Sequence, residues 1–272
     1  MAGASPSARA EVVVPPGWAA ATATASSEPA PPVVVVCGPK NAGKSTFSRL
    51  LLNSLLPRYG RVGYLDTDVG QPEFSPPGCL SFHVVDEALT DLLNPTLREC
   101  QRCCFFGDIS SKRDPETYLN CLFHLYDYFV ENYRSGASEP LPLIVNTPGW
   151  IRISAQSKNL PDGMFWLDCG QTGPNMINID APFHDALNRS LLIQKDSYGM
   201  RERRLIEYFK QCFSSDISLT TNKELAYALT SLPPYEVSIS DVMVPPSEVR
   251  GCVSPYMPTN VLHRISERDI NT

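Results

Sequence analysis

Residues 33–46 decide the fold, and they read Val33-Val34-Val35-Val36-Cys37-Gly38-Pro39-Lys40-Asn41-Ala42-Gly43-Lys44-Ser45-Thr46. The four valines form a short, apolar, β-branched run, which is typical of a central parallel strand that is buried on both faces. The pattern Gly, four residues, Gly-Lys-Ser is typical of a loop that binds phosphate. The residues 45–56 that follow it have the apolar spacing of a helix, which is expected to end before Pro57. The stretch therefore predicts a strand, a phosphate-binding loop and a helix in succession.

The chemistry of phosphate binding explains each residue type in this loop. Glycines allow a turn tight enough for successive backbone N–H groups to point at phosphate oxygens. The N-terminus of the next helix presents its positive end to the same oxygens. Lys44 can then bridge the β- and γ-phosphates of ATP, and the Ser45 hydroxyl can join the coordination shell of Mg²⁺. We therefore expect ATP to be bound by the residues of this loop, namely Gly38, Pro39, Lys40, Asn41, Ala42, Gly43, Lys44, Ser45 and Thr46.

An alternation of strands and helices continues after the loop. Short strands are predicted over residues 61–66, 80–85 and 141–145, and a proline-rich loop separates the first two. Asp114 followed by Pro115 predicts the start of a long helix, because aspartate caps helices and proline fits their first position. The alternation indicates an α/β fold of the P-loop NTPase type, with a parallel sheet and flanking helices.

The sequence divides into four parts around this core. Residues 1–32 are rich in Ala, Ser and Pro and predict a disordered leader. Residues 33–150 form the predicted phosphate-loop core, whereas residues 151–180 have no clear periodicity and predict an irregular segment. Residues 181–272 complete the chain, and their predicted elements are helices over 201–213 and 222–229 and short strands within 235–244. The sheet is therefore expected to be incomplete and to be followed by a lid helix and a short β-containing tail.

Composition excludes several classes of protein. The chain has 272 residues, of which 43% are hydrophobic and 19% charged, which is enough for one sizeable core. No run approaches the roughly 18 apolar residues that a membrane-spanning helix needs, so we expect no membrane partner. The formal net charge is −6, so any contacts with a nucleic acid must be local.

The nine cysteines come without an apolar secretion signal, which indicates a reducing compartment and free thiols. Cys100, Cys103 and Cys104 cluster in the sequence, and a zinc site is the alternative interpretation of such a cluster. No second group of Cys or His stands at ligand spacing in the sequence, so the pattern favours buried or inert thiols.

A second motif, Asp66-Thr67-Asp68-Val69-Gly70-Gln71, follows the strand predicted over residues 61–66. A strand that ends beside a phosphate-binding loop brings its carboxylates to the metal ion and the γ-phosphate. One aspartate could hold the metal while the other accepts a proton from an attacking hydroxyl. The motif therefore predicts a catalytic carboxylate pair.

A third motif, Asn146-Thr147-Pro148-Gly149-Trp150, follows the strand predicted over residues 141–145. A GTPase would carry Asp-x-x-Gly here, and Asn146 replaces that aspartate. The guanine-reading pattern Asn-Lys-x-Asp is also incomplete, because the nearest segment, at residues 222–225, lacks the Asp. These two differences argue against a GTPase. Trp150 could belong to the core or could stack on a nucleobase.

Taken together, these motifs resemble those of the polynucleotide 5′-hydroxyl kinase family. The shared features are Gly-x4-Gly-Lys-Ser, Asp-x-Asp-x-Gly-Gln and Thr-Pro-Gly-Trp in this order, and residues 201–209 resemble the arginine-bearing lid of the same family. The resemblance covers residues 33–150 and 181–244, and it is nearer to the nucleolar, pre-rRNA-processing branch than to the messenger-RNA branch. It implies a nuclear, specifically nucleolar, enzyme that transfers the γ-phosphate of ATP to the 5′-hydroxyl end of RNA or DNA.

The resemblance also implies a role for each motif residue. Lys44 and Ser45 would hold ATP and Mg²⁺, with Asp66 at the metal and Asp68 as the general base, and these two aspartate roles could be exchanged. Gln71 would lie near the acceptor end. Two further groups complete the site: a clasp on the nucleic-acid end, formed by Thr147, Pro148, Gly149 and Trp150, and two lid arginines, Arg201 and Arg204, that neutralise charge on the transferring phosphoryl group.

The chain departs from the family pattern in two respects. Family members usually continue after Gly-Trp with a glycine-containing turn, a long amphipathic helix and another strand, and residues 151–180 show none of these. They also usually have a β-rich domain before the phosphate loop and a fuller one after the lid, so the chain is expected to be a truncated member. The alternative function is a catalytically weak nucleotide-binding isoform that acts as a partner in an RNA-processing complex.

Overall fold

Three neighbouring parallel strands form one part of the sheet in the computed structural model, which describes residues 14–90, 97–149, 177, 197–213 and 219–233. The strands follow the order β1-β5-β2-β3-β4 across one sheet. The elements in chain order are α1 (Pro16–Ser27), β1 (Val33–Val36), α2 (Lys44–Tyr59), β2 (Val62–Asp66), β3 (Cys79–Val85), β4 (Arg102–Phe105), α3 (Pro115–Phe129, continued by a π-helical turn at Val130–Arg134), β5 (Leu143–Asn146), α4 (Ser197–Lys210) and α5 (Asn222–Thr230).

The register of the parallel strands positions the site. β5 pairs in parallel with β1 on one side and with β2 on the other. Val36, Asn146 and Asp66 therefore stand side by side at the carboxyl ends of these strands. In open α/β sheets this edge is where ligands bind, because loops from neighbouring strands converge there.

The predicted α/β fold with a parallel sheet and flanking helices is confirmed for β1, β5 and β2. β3 pairs antiparallel with β2, because the proline-rich loop after β2 turns the chain back along that strand. β4 in turn pairs antiparallel with β3. The strand predicted over residues 80–85 corresponds to β3. β4 was not predicted, since it is a short edge strand that is mostly exposed and has no apolar alternation.

Helices cover both faces of the sheet and close two apolar layers. On one face, α1 and α2 pack against side chains of the strands that include Tyr64, Val85 and Ile144. On the other face, α3 packs against Leu65, Phe82 and Val145. β5 and β2 are buried along their whole length because a helix covers each face of the sheet. The prediction that residues 33–36 form a central strand is wrong for the described sheet, in which β1 is an edge strand with only Val36 buried.

Helix α1 corrects the prediction of a disordered leader over residues 1–32. Trp18 is 4% exposed and packs edge-to-face on Phe47 of α2, with ring centroids 5.4 Å apart. Ala21 and Ala25 lie on the same buried stripe, at helical spacing from Trp18. The Ala-rich composition that suggested low complexity is also that of a good helix former, and Pro16 occupies the first helical turn. Residues 1–13 lie outside the described residues.

The predicted start of α3 is confirmed, whereas the predicted end of α2 is wrong. Asp114 accepts a hydrogen bond from the Thr117 N–H at 3.0 Å, so the predicted start of α3 is confirmed. Helix α2, however, continues through Pro57 instead of ending before it. A proline in the last turn removes one backbone donor there, and the helix ends at Gly60, whose φ is +68°.

Helices α4 and α5 pack on each other through Ile206, Leu219 and Leu225. Thr221 and Glu224 form a capping box at the start of α5. The strands predicted within 235–244 and the irregular segment predicted over 151–180 lie outside the described residues, apart from Ile177. Among the described helices, none has the length and apolar character needed to cross a membrane.

Candidate active site

The phosphate-binding loop is curled. Gly38, Asn41 and Gly43 have φ angles of +153°, +64° and +85°, and the Ala42 N–H donates to the Pro39 carbonyl at 3.3 Å. A left-handed conformation suits glycine and is tolerated by asparagine, and at Gly43 it allows helix α2 to begin directly at Lys44. A tight turn with left-handed residues at such positions is the kind of loop in which backbone N–H groups form an anion-binding concavity.

The Lys44 side chain lies over this loop. Its ammonium group donates to the Pro39 carbonyl oxygen at 3.0 Å. Burial lowers the pKa of Lys44, and the attraction of the Asp68 carboxylate opposes that effect. The cation is thus held over the loop, near enough to Asp68 for the two charges to interact.

Asp66 is fully buried at the end of β2. It accepts hydrogen bonds from the Glu73 N–H, from the Asn146 amide at 3.2 Å and from the Asp68 N–H at 3.3 Å. Burial and, next, the negative charge of Glu73 raise the pKa of Asp66 to about 8. The carboxyl group therefore favours its protonated form at neutral pH unless a cation binds beside it.

Asp68 is only partly buried, and its carboxylate is fixed through one oxygen. That oxygen accepts hydrogen bonds from the N–H groups of Gly70 and Gln71 at 3.1 and 3.2 Å. Burial raises the pKa of Asp68, whereas these hydrogen bonds and the charge of Lys44 act in the opposite direction. A carboxylate with a raised pKa beside a phosphate-binding loop is suited to accept a proton from a hydroxyl group.

Residues of the third motif form hydrogen bonds both with the strand before the phosphate-binding loop and with the segment that carries Asp66 and Asp68. The Thr147 hydroxyl donates to the Val36 carbonyl at 2.7 Å, and the Asn146 carbonyl accepts from the Thr67 N–H and hydroxyl at 3.0 and 2.8 Å. The Asn146 Oδ1 atom is buried and has no hydrogen-bond partner among the described residues. This places an unsatisfied acceptor beside Asp66.

Gly149 brings the backbone after β5 against the phosphate-binding loop. A Cβ atom at Gly149 would lie 2.8 Å from the Lys40 nitrogen and 2.9 Å from its Cα atom, so only glycine allows this approach. Pro148 precedes it and is buried, and Trp150 lies outside the described residues. Of the residues predicted to form the clasp, Gly149 therefore lies against the loop.

The first two motifs contain oxygen ligands of the kind that Mg²⁺ prefers. The Asp66 carboxylate and the Ser45 hydroxyl are hard oxygen ligands, and the unpartnered Asn146 Oδ1 can accept a hydrogen bond from a metal-bound water. Mg²⁺ usually needs only one or two protein ligands, because substrate phosphates and water supply the rest. The described residues contain no set of three or more His, Cys, Asp or Glu side chains arranged around a metal position.

Two further sets of residues support the site and were not predicted from the sequence. The Tyr118 hydroxyl on α3 donates to the Thr67 carbonyl at 3.0 Å, between the two aspartates. Arg49 on α2 and Glu73 in the loop after β2 form a buried, bidentate ion pair. These contacts join residues 24 and 51 positions apart in the chain, so no local pattern indicates them.

The predicted lid arginines lie on helix α4. Arg204 is partly buried and its guanidinium lies 4.0 Å from the Glu207 carboxylate one turn later. Arg201 is also partly buried on this helix. The structure thus gives both residues a helical position, and their roles stay predictions.

The sequence matches the family described as mRNA cleavage and polyadenylation factor CLP1 P-loop over residues 38–159. It is 43% identical to the polynucleotide 5′-hydroxyl-kinase NOL9 of Arabidopsis thaliana over 260 residues, which covers 85% of this chain and 70% of that protein. It is 41% identical to the polynucleotide 5′-hydroxyl-kinase grc3 of Schizosaccharomyces pombe, over 47% of this chain and 18% of that protein.

A human polynucleotide 5′-hydroxyl-kinase NOL9 is 38% identical over 44% of this chain, which spans only 16% of the human protein. A solved structure of the wild-type Clp1p–Pcf11p complex aligns with 75% of this chain and 55% of its own, with a TM-score of 0.45 and 18% identity. That structural similarity is too weak to bear on function.

Proposed function

Since the chain belongs to the polynucleotide 5′-hydroxyl kinase family, in its NOL9/GRC3 branch, we propose that it transfers the γ-phosphate of ATP to the 5′-hydroxyl end of RNA. The observation that carries the proposal is that Asp68 lies close enough to Lys44, on the curled phosphate-binding loop, for each charge to shift the pKa of the other. This arrangement supplies a cation for the phosphates and a proton acceptor for the attacking hydroxyl.

In this proposal the triphosphate lies on the loop from Gly38 to Thr46. Lys44 stabilises the β- and γ-phosphates, and the N-terminus of α2 adds its positive end. Mg²⁺, held by Ser45 and Asp66, would neutralise charge that develops on the phosphate oxygens. Catalysis then depends on placing the acceptor hydroxyl in line with the γ-phosphate.

Of the two aspartates, we assign the general base to Asp68. Both oxygens of Asp66 accept hydrogen bonds, from the amide of Asn146 and from backbone N–H groups, which leaves it poorly placed to reach a mobile substrate. Among the described residues, the hydrogen bonds donated to the Asp68 carboxylate engage only one of its oxygens, so the other is suited to take the 5′-hydroxyl proton.

The acceptor strand would be held beside the loop. Thr147, Pro148 and Gly149 support this role because Gly149 touches Lys40, and Trp150 would stack on a base. Gln71 would contact the acceptor end, since its backbone N–H already binds the Asp68 carboxylate. Arg201 and Arg204 would act as lid arginines that neutralise the transferring phosphoryl group.

The branch of the family points to pre-rRNA processing in the nucleolus, within an RNA-processing assembly. Several relatives, among them those of Arabidopsis thaliana and Homo sapiens, are named polynucleotide 5′-hydroxyl-kinase NOL9. Residues 33–150 would be the kinase core, and residues 181–272 would supply the lid. A second candidate, a nucleotide-binding partner without transferase activity, is favoured by one observation: the sequence of residues 151–180 lacks the periodicity of the helix and strand that family members usually have after Gly-Trp.

A label-transfer assay tests the proposal. The chain is incubated with Mg²⁺, γ-labelled ATP and 5′-hydroxyl RNA or DNA oligonucleotides, and γ-labelled GTP is the comparison donor. We expect label on the RNA from ATP, and loss of about 10²-fold or more in Lys44→Ala. The exposed Lys112→Ala is the matched control and should transfer as the wild type does.

The outcomes separate the alternatives. Label on the oligonucleotide that survives Lys44→Ala would contradict the assigned chemistry. No transfer, combined with ATP binding that Lys44→Ala abolishes, would favour the nucleotide-binding partner. Transfer from GTP in preference to ATP would contradict the assignment of the donor.

A further inference from the structure

Tyr118 binds the backbone of the segment that carries the two aspartates. It lies near the start of α3, its side chain is fully buried, and its hydroxyl donates to the Thr67 carbonyl at 3.0 Å. Burial raises the pKa of Tyr118, so the hydroxyl keeps its proton for this hydrogen bond. Thr67 lies between Asp66 and Asp68, so the contact fixes the backbone next to the proposed general base.

The peptide unit between Thr67 and Asp68 is held at both ends. Its carbonyl accepts hydrogen bonds from Tyr118 and from the Val69 N–H, the latter at 3.1 Å. Its N–H donates to the Asp66 carboxylate at 3.3 Å. Because a peptide unit is planar and leads directly to the Cα atom of Asp68, its orientation sets the direction in which the Asp68 side chain starts. Tyr118 binds this unit from a separate helix, whereas Val69 and Asp66 belong to the same segment as the unit itself.

The chain around Tyr118 is fixed against its neighbours. The Tyr118 ring packs edge-to-face on Phe106, with ring centroids 6.0 Å apart. Asp114 caps the start of α3. The Ile109 carbonyl, in the loop before α3, lies so close to Gly70 that a Cβ atom there would be 2.9 Å from it. The connection from β4 to α3 therefore holds the Tyr118 hydroxyl in place and contacts the second motif at a further point.

We propose that Tyr118 is a positioning residue that holds the Asp68 carboxylate in the orientation that accepts the 5′-hydroxyl proton, an inference that rests on the proposed kinase function. Tyr118 acts through the backbone, because its hydroxyl is buried and donates to the Thr67 carbonyl. Without that hydroxyl, the carbonyl keeps the hydrogen bond from Val69, so the segment stays folded but can rotate. Misplacing a catalytic group by about 1 Å can lower a rate by about 10²-fold.

Steady-state kinetics of Tyr118→Phe test the inference, since this variant removes the hydroxyl and keeps the ring. We expect kcat for transfer from ATP to a 5′-hydroxyl RNA to fall by about tenfold or more. The KM for ATP should stay near the wild-type value, because the contact lies outside the phosphate-binding loop. Tyr128→Phe is the matched control, since Tyr128 lies on the same helix but beside Arg102, and it should keep the wild-type kcat.

Hydrogen exchange gives a second measurement that does not depend on transfer. In Tyr118→Phe, the amides of residues 67–71 should exchange about fivefold or more faster, whereas those of α2 and β3 should keep their wild-type rates. Tyr128→Phe should leave residues 67–71 unchanged. If the wild-type chain transfers no label, the proposed function fails, and this comparison still decides whether Tyr118 fixes the segment.

Three results would overturn the inference. The first is wild-type exchange at residues 67–71 in Tyr118→Phe. The second is a wild-type kcat in Tyr118→Phe when the wild-type chain is active. The third is faster exchange throughout α2 and β3 together with a raised KM for ATP, which would assign Tyr118 to the stability of the whole fold instead of the position of Asp68.

Discussion

Because Gly149 has no side chain, the segment after β5 can lie directly against the phosphate-binding loop. The backbone at Gly149 lies against the backbone of Lys40, so the segment after β5 supports the outer wall of the phosphate-binding loop. This contact joins the first and third sequence motifs, which are about 110 residues apart in the chain.

Replacing Gly149 with alanine should therefore weaken ATP binding. The new Cβ atom would lie 2.8 Å from the Lys40 nitrogen, and because both sides are backbone, the loop must shift. We expect the Kd for ATP to rise by about tenfold or more, which corresponds to roughly 1.4 kcal/mol. Titration calorimetry measures it. Gly17→Ala, where nothing lies within 4 Å of the new Cβ atom, is the matched control, and an unchanged Kd in Gly149→Ala would contradict the contact.

The buried His83 ring makes the stability of the fold depend on pH. Its ring is 1% exposed, contacts the Glu99 carbonyl and the Ser81 hydroxyl, and packs on Phe74. Burial lowers the pKa of His83 from 6.5 to about 4. Between these two values the unfolded chain binds a proton that the folded chain does not. The stability that depends on neutral His83 is thus present above pH 6.5 and is lost as the pH falls toward 4.

His83→Gln should reduce this loss. The wild-type free energy of unfolding is expected to decrease by up to about 3 kcal/mol from His83 alone between pH 7 and pH 4. Urea unfolding at several pH values measures the slope for both proteins. An identical slope in His83→Gln would show that the buried ring does not control the response.

The chemistry of single residues was largely readable from the sequence, whereas their supporting contacts were not. The phosphate-loop pattern specifies glycine, lysine and serine because each type has its own role at a phosphate. Tyr118, in contrast, looked like one more apolar residue on a helix face, although its hydroxyl binds the chain between the aspartates. Only the packing of α3 on the sheet brings that hydroxyl there.

At the level of elements, the Arg49–Glu73 pair connects helix α2 to the loop that carries the aspartates. Arg49 and Glu73 are 6% and 3% exposed, and the Glu73 N–H also donates to Asp66. A shift of the phosphate-loop helix would therefore be transmitted to Asp66. The pair was not predicted because it joins a helix to a proline-rich loop.

Removing one partner of this pair should be strongly destabilising. Glu73→Gln removes the carboxylate that forms the bidentate ion pair with the buried Arg49 guanidinium, and we expect a loss of about 3–5 kcal/mol in the free energy of unfolding. The double variant Arg49→Met, Glu73→Leu should recover most of that loss, because it removes both charges. The exposed pair Arg113–Asp108 is the control, and Arg113→Ala should change stability by less than about 1 kcal/mol. Chemical unfolding measures all three, and a near-neutral Glu73→Gln would contradict the account.

Helix α1 and strand β4 were not predicted from the sequence, for different reasons. Helix α1 has small alanines on its buried stripe, so Trp18 is its only large apolar residue there. Strand β4 is short and has an edge position, so its residues need no apolar alternation. Helix packing in the first case and strand pairing in the second supply what the local sequence lacks.

At the scale of the whole molecule, the order of strands produces the site. β1, β5 and β2 lie side by side in parallel, so the phosphate-binding loop, Asn146 and Asp66 meet at one edge. The alternation of strands and helices predicted this convergence. The antiparallel addition of β3 and β4 depends on the turn after β2, whose direction the prolines did not specify.

The most direct test of the central claim is the effect of Asp68→Asn on binding and on transfer, measured separately with ATP and a 5′-hydroxyl RNA. If Asp68 accepts the hydroxyl proton beside the loop, the variant will bind ATP at least as well as the wild type, because a negative charge near the phosphates is removed. Its rate of phosphate transfer will fall by about 10²–10⁴-fold. Asp86→Asn, at an exposed aspartate, should keep the wild-type rate. Transfer at the wild-type rate in Asp68→Asn would contradict the account.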